Sequence, residues 1–88
     1  MIYKVRYSKT ALKQLKKLDK QTSSIIISFI EKKLENCDNP RVIGKALQGD
    51  LKDKWRYRVG NYRILAKIDD CKITIVILEL GHRRDIYQ

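Results

Sequence analysis

KWRYRVGNYRILAKIDDCKITIVILELGHRRDIY, residues Lys54 to Tyr87, is the stretch whose pattern decides the fold. From Lys54 to Val59 the residues alternate, placing Trp55, Tyr57 and Val59 on one face of an extended strand and Lys54, Arg56 and Arg58 on the other. Gly60-Asn61 then forms a two-residue hairpin turn, with glycine supplying the positive φ of a type II′ or type I′ turn. That turn predicts Val59 opposite Tyr62, Arg58 opposite Arg63, Arg56 opposite Leu65 and Lys54 opposite Lys67. Directly opposed residues share a side of the sheet, so Arg63 and Lys67 join Lys54, Arg56 and Arg58 on one cationic surface. Like charges facing each other destabilise a sheet, and an external anion would resolve the conflict. After the Asp69-Asp70 turn, Ile73 to Leu80 is almost continuously apolar, which implies a central strand covered on both faces.

Upstream of this stretch, Ile2 to Tyr7 alternates and is rich in β-branched and aromatic residues, the pattern of a first strand. Ser8 is placed to cap a helix beginning at Lys9, with Ala11, Leu12, Leu15 and Leu18 as its apolar stripe. Lys9, Lys13, Lys16, Lys17 and Lys20 occupy its other positions, as a solvated face or as RNA contacts. A second helix is expected from Gln21 or Thr22 to Asn36, with Ile26, Ile30 and Leu34 recurring every fourth residue. Asn36, Asp38, Asn39 and Pro40 end it. Arg41 to Asp53 has two glycines and no sustained period, and reads as a loop with one helical turn. The order is β-α-α-β-β-β in a single domain over residues 1–88, an α+β fold with a helix hairpin on one face of an antiparallel-dominated sheet.

Composition narrows the function. Twenty Lys and Arg against 10 Asp and Glu give a formal charge of +10, which favours phosphate polymers or acidic partners. One His and two Cys without ligand spacing give no basis for a metal site, and no cofactor motif is present. The charged, alternating start and the lack of any apolar run near the roughly 20 residues of a membrane span suggest a cytoplasmic protein with reduced thiols. Arg56, Arg58 and Arg63 form an array of planar, permanently charged forks suited to a phosphodiester. His82, Arg83, Arg84 and Tyr87 follow the last strand. His82 and Tyr87 each have a structural alternative, and Asp53, Asp69, Asp70, Glu79 and Asp85 form no carboxylate pair.

The β-α-α-β-β-β order, the segment LQGDLKDKWRYRVGNYRILAKIDD and the strand KITIVILELGHRRDIY together resemble the RelE/ParE superfamily of bacterial and archaeal toxins, and its RelE branch in particular. The resemblance spans essentially the whole chain and rests on the pairing of RVGNYR with GHRRDIY. It implies the toxin of a type II toxin-antitoxin system, a ribosome-dependent endoribonuclease that cuts mRNA in the ribosomal A site. The expected chemistry is metal-free attack by the 2′-hydroxyl, with the ribosome, mRNA and a cognate antitoxin as partners, the last in a heterodimer or heterotetramer. The resemblance maps the family's catalytic positions onto Arg56, Arg58, Arg63, Arg83 and Tyr87; His82, among cations, is a further catalytic candidate, and Lys52, Lys54, Lys67 and Arg84 are expected to bind RNA. Arg56 and Arg58 stand where some members carry lysines, and a guanidinium holds its proton, so these two suit a clamp better than an acid or base. Tyr87 and His82 are the candidate bases, with Tyr87 preferred because its counterpart recurs in the family motif. A ParE-like gyrase inhibitor and an inactive, antitoxin-binding corepressor are the alternatives.

Overall fold

The computed structural model describes residues 1–49 and 53–85. Its strands are β1 (Lys4–Tyr7), β2 (Lys45–Ala46), β3 (Lys54–Val59), β4 (Tyr62–Asp69) and β5 (Thr74–His82). Its helices are α1 (Lys9–Lys17) and α2 (Lys20–Phe29), the latter closing in a π-helical turn at Ile30–Leu34. The sheet order is β1-β5-β4-β3-β2. Every neighbouring pair is antiparallel except β1 and β5, which run parallel. Two helices on one face of a mostly antiparallel sheet is the α+β arrangement expected.

The hairpin register is the one the turn dictates, from Val59 opposite Tyr62 to Lys54 opposite Lys67. Gly60 has φ 60° and Asn61 keeps a negative φ, so the turn is type II′. Tyr57, Ile64, Ala66, Ile75, Ile77 and Leu80 from the sheet meet Ala11, Ile26, Ile30 and Leu34 from the helical layer, all buried. Trp55 and Tyr57 also hold the loop ahead of β2. The Trp55 indole donates to the Ile43 carbonyl at 2.8 Å, and the Tyr57 hydroxyl donates to the Pro40 carbonyl at 2.6 Å.

Several expectations are corrected. Arg41 to Asp53 contains β2, a two-residue edge strand that pairs Lys45 with Arg56 and Ala46 with Trp55. A strand that short carries no readable alternation. The second helix starts earlier than expected, because Asp19 caps it by accepting from the Thr22 amide at 3.1 Å and the Thr22 hydroxyl at 2.7 Å. Those two bonds hold the Asp19 carboxyl below its ordinary range. The first strand begins at Lys4, leaving Ile2 exposed. Leu12, counted in the α1 stripe, is 46% exposed, and Ala11 takes the buried position.

The largest correction concerns β5. It is an inner strand as expected, and its neighbours are β1 and β4, yet it is not covered on both faces: Ile75, Ile77 and Leu80 are buried, while the residues between them are half-buried. A β-bulge causes this pattern. Leu65 pairs with Glu79 and Ala66 with Ile77, leaving Leu78 as the extra residue. The backbone groups around the bulge find partners on α1 and its cap. The Ser8 hydroxyl donates to the Leu78 carbonyl at 2.7 Å and accepts from the Ala11 amide at 3.0 Å, and the Gln14 side-chain carbonyl accepts from the Leu80 amide at 2.7 Å. The helix cap and the bulge thus share one serine.

Candidate functional site

The face of the sheet turned away from the helices carries the cations in rows defined by register. Next to the hairpin turn stand Arg58, Arg63 and Gly81; then come Lys45, Arg56, Leu65 and Glu79; then Lys54, Lys67, Val76 and Arg6; and farthest from the turn Asp69, Thr74 and Lys4. Arg58 and Lys67 are exposed, and Arg56, Arg63 and Lys54 are half-buried. Leu65, between Arg56 and Glu79, is buried on this face.

Backbone geometry brings Arg58 and Arg63 close together. The Lys54 carbonyl accepts from the Leu47 amide at 3.2 Å, which turns the peptide groups of Lys54, and by alternation those of Arg58, away from β4. Arg58 and Arg63 therefore form a pair without mutual backbone hydrogen bonds, whose Cα atoms approach to about 4.5 Å. Glycine at position 81 adds no side chain beside Arg63 in the row. Just beyond the row, the Arg83 amide donates to the Asn61 carbonyl at 2.8 Å, fastening the start of the tail to the turn. Lys54 is paired with Asp53 at 2.9 Å, and that ammonium holds the Asp53 carboxyl below its ordinary range.

The structure thus brings Arg56, Arg58, Arg63, Lys54 and Lys67 onto one face, with the Arg83 backbone docked at its end. His82 does not share that face. It pairs with Tyr62 on the helix side, where the two rings meet edge to face at 5.6 Å and 79°. It lines a cavity of about 290 Å³ with Gln14, Lys17, Leu18, Tyr62 and Asp85. Its Nδ1 accepts from the Arg84 amide at 3.2 Å. Arg84 is exposed at the end of the described segment. Lys52 and Tyr87 lie outside the described residues.

Sequence reasoning missed the other cations of this face. Arg6 and Lys4 join it through the parallel pairing of β1 with β5, and Lys45 joins it through β2. Alternation within IYKVRY put Lys4 and Arg6 on one side of their strand, but nothing local said which face of the sheet that side would meet. Where β2 stops, a groove of about 390 Å³ opens beside β3, with Phe29, Ile43 and Tyr57 among its apolar walls and Lys33, Lys45, Arg56 and Arg58 as its basic ones. Among the described residues no group of three or more His, Cys, Asp or Glu is placed to hold a metal ion. No helix among them is long and apolar enough to cross a membrane. Cys37 and Cys71 are free thiols.

Known proteins share this architecture. Residues 5–87 match the family model of the ParE toxin of the type II toxin-antitoxin system parDE. The toxin RelG of Mycobacterium tuberculosis is 38% identical over 88 residues, covering 100% of this chain and 99% of that protein. Among solved structures, the toxin-antitoxin complex RelBE2 of Mycobacterium tuberculosis contains a chain that superposes with a TM-score of 0.85 at 35% identity, covering 97% of this chain and 95% of that one. The archaeal RelE-RelB complex of Pyrococcus horikoshii OT3 gives a TM-score of 0.71 at 30% identity, over 97% and 99% of the two chains.

Proposed function

The chain belongs to the RelE/ParE superfamily of type II toxin-antitoxin toxins, in its RelE-like branch, and from that premise we propose that it is a ribosome-dependent endoribonuclease that cleaves mRNA in the A site and is silenced by a cognate antitoxin. The observation that carries this reading is the Arg58–Arg63 pair, two permanent cations opposed at the closest spacing a sheet offers on a face without helical cover. A phosphodiester between them would turn the repulsion into two charge-assisted contacts.

In the proposed reaction the 2′-oxygen forms a bond to the adjacent phosphorus as the bond to the 5′-oxygen breaks. The products are a 2′,3′-cyclic phosphate and a 5′-hydroxyl. Arg56, Arg58, Arg63 and Arg83 hold the phosphoryl oxygens as charge accumulates on them, which is the usual largest source of rate in such sites. None of the four serves as the base, because a guanidinium stays protonated. Tyr87 takes the proton of the 2′-hydroxyl, and ribosomal RNA or water supplies the one that the leaving oxygen needs. With so little acid-base machinery of its own, the chain depends on the ribosome to orient the message. Lys52, Lys54, Lys67 and Arg84 hold the flanking backbone.

The antitoxin is expected to present an acidic, apolar segment, for which the groove beside Arg56 and Arg58 offers an apolar floor and a cationic rim. A second reading, inhibition of DNA gyrase, is favoured by the match to the ParE family model. One experiment separates the two: induction of the chain alone in bacteria, with mapping of new RNA 5′ ends and a parallel supercoiling assay on purified gyrase. New 5′-hydroxyl ends within translated codons support cleavage. Intact messages with arrested supercoiling would establish the gyrase reading instead.

A further inference from the structure

We propose that His82 is a positioning residue, whose imidazole ties the Arg84 amide back to the end of β5 and so helps fix the basic tail beside the Arg58–Arg63 pair. Its effect on catalysis rests on the cleavage reading above; its effect on the tail rests on geometry alone.

Four contacts make the latch. The bulge at Leu78 turns His82 to the helix side of the sheet, where its ring stands edge to face with Tyr62 at 5.6 Å. Its Nδ1 accepts from the Arg84 amide at 3.2 Å, and its carbonyl accepts from the Asp85 amide at 2.8 Å. Between those two bonds, the Arg83 amide donates to the Asn61 carbonyl in the hairpin turn at 2.8 Å. One residue therefore closes a turn over positions 82–85, while the middle of that turn is pinned to the loop that joins the two arginine-bearing strands. The direction in which Arg83 leaves the backbone is set by this closure. A phosphate clamp depends on such directions, because a misplacement of about 1 Å in a preorganised site can reduce rate on the order of 10²-fold.

The same contacts argue against a role for His82 as the base. An Nδ1 that accepts from a backbone amide leaves the ring proton on Nε2. The ring also lies across the sheet from Arg58 and Arg63, among Gln14 and Lys17 of α1, Tyr62 of β4 and Asp85 of the turn. Packing against Tyr62 holds the ring plane, and the amide of Arg84 selects the tautomer.

Asparagine is the informative replacement, since its Oδ1 branches from Cγ as Nδ1 does and offers an acceptor that cannot titrate near neutral pH. Three proteins are compared: wild type, His82→Ala and His82→Asn. Amide hydrogen exchange should show Arg84 protected in wild type and His82→Asn and unprotected in His82→Ala. Long-range nitrogen-proton spectra of the single imidazole should show the Nε2-protonated tautomer. In single-turnover cleavage of ribosome-bound messenger, His82→Ala should lose about 10-fold or more, and His82→Asn should return to within about 3-fold of wild type. Equal Arg84 exchange in all three proteins would overturn the latch. So would a His82→Asn protein that keeps the protection yet cleaves as poorly as His82→Ala, since that outcome assigns the ring a chemical role. If wild type cleaves no message, the cleavage reading fails on its own, and exchange with the tautomer still decides whether the latch exists.

Discussion

Arg58 faces Arg63 directly across the β3–β4 hairpin, one row from the Gly60-Asn61 turn. Directly opposed like charges on a sheet are destabilising, and cross-strand pairs act on a scale of roughly 0.2–1 kcal/mol. Replacing Arg58 by Thr should raise the unfolding midpoint at low salt, by an amount within that range, and lower cleavage about 10²- to 10³-fold. Wild-type stability should rise with added salt more than that of the variant, because screening also weakens the Arg58–Arg63 repulsion that the variant lacks. Thermal unfolding at two ionic strengths, alongside single-turnover cleavage, checks both halves.

Gln14 supports the bulge from α1 by accepting from the Leu80 amide at 2.7 Å. Gln14→Ala strands that amide in a half-buried setting and should cost about 1–3 kcal/mol. Because the bulge also sets the face on which His82 emerges, the Leu80 and Arg84 amides should both exchange faster in the variant. A loss of stability with Arg84 protection unchanged would separate the bulge from the tail.

Gly44 has φ 83°, and a Cβ there would run into the Arg56 carbonyl and the rings of Trp55 and Tyr57. Gly44→Ala combines backbone strain with that clash and should destabilise by at least about 1–3 kcal/mol. The damage should be local: β2 detaches from β3, and the Trp55 indole loses its bond to the Ile43 carbonyl. Tryptophan fluorescence should shift toward the exposed form before the rest of the fold unfolds in urea.

Asp70 joins the β4–β5 turn to the loop after the π turn, accepting from both terminal nitrogens of Arg41 at 3.0 Å and from the Tyr3 hydroxyl at 2.7 Å. Those bonds, Arg41 first, hold its carboxyl below the ordinary carboxylate range. A carboxyl depressed in the folded state contributes stability that is fully present above its unfolded pKa and is lost as pH falls through the folded one. Asp70→Asn should therefore be less stable than wild type at neutral pH, with the difference shrinking once pH drops below about 4. Urea midpoints at pH 7, 5 and 3 measure it, and a constant difference across that range would remove ionisation as the cause.

What the sequence alone determined was whatever local geometry enforces. A two-residue turn with glycine first leaves one hairpin register, so the row partners of Arg56, Arg58 and Lys54 followed from KWRYRVGNYRILAK without any distant contact. The helix stripe of Ile26, Ile30 and Leu34 was legible because its period is that of one helical face, and all three are buried. The family was legible for a similar reason: the hairpin and the tail carry the residues that mark it.

Only the tertiary structure decided where β5 sends its side chains. Alternation from Ile75 and Ile77 would continue inward to Glu79 and Gly81, leaving Leu80 and His82 with the arginines; one extra residue at Leu78 reverses that order. In so apolar a run every register looks acceptable, and the bulge is fixed by Ser8 and Gln14, more than 60 positions away in the chain. The parallel docking of β1, which carries Arg6 and Lys4 onto the cationic face, is equally non-local. A strand records which residues share a side, but the partners that satisfy its backbone decide which side that is.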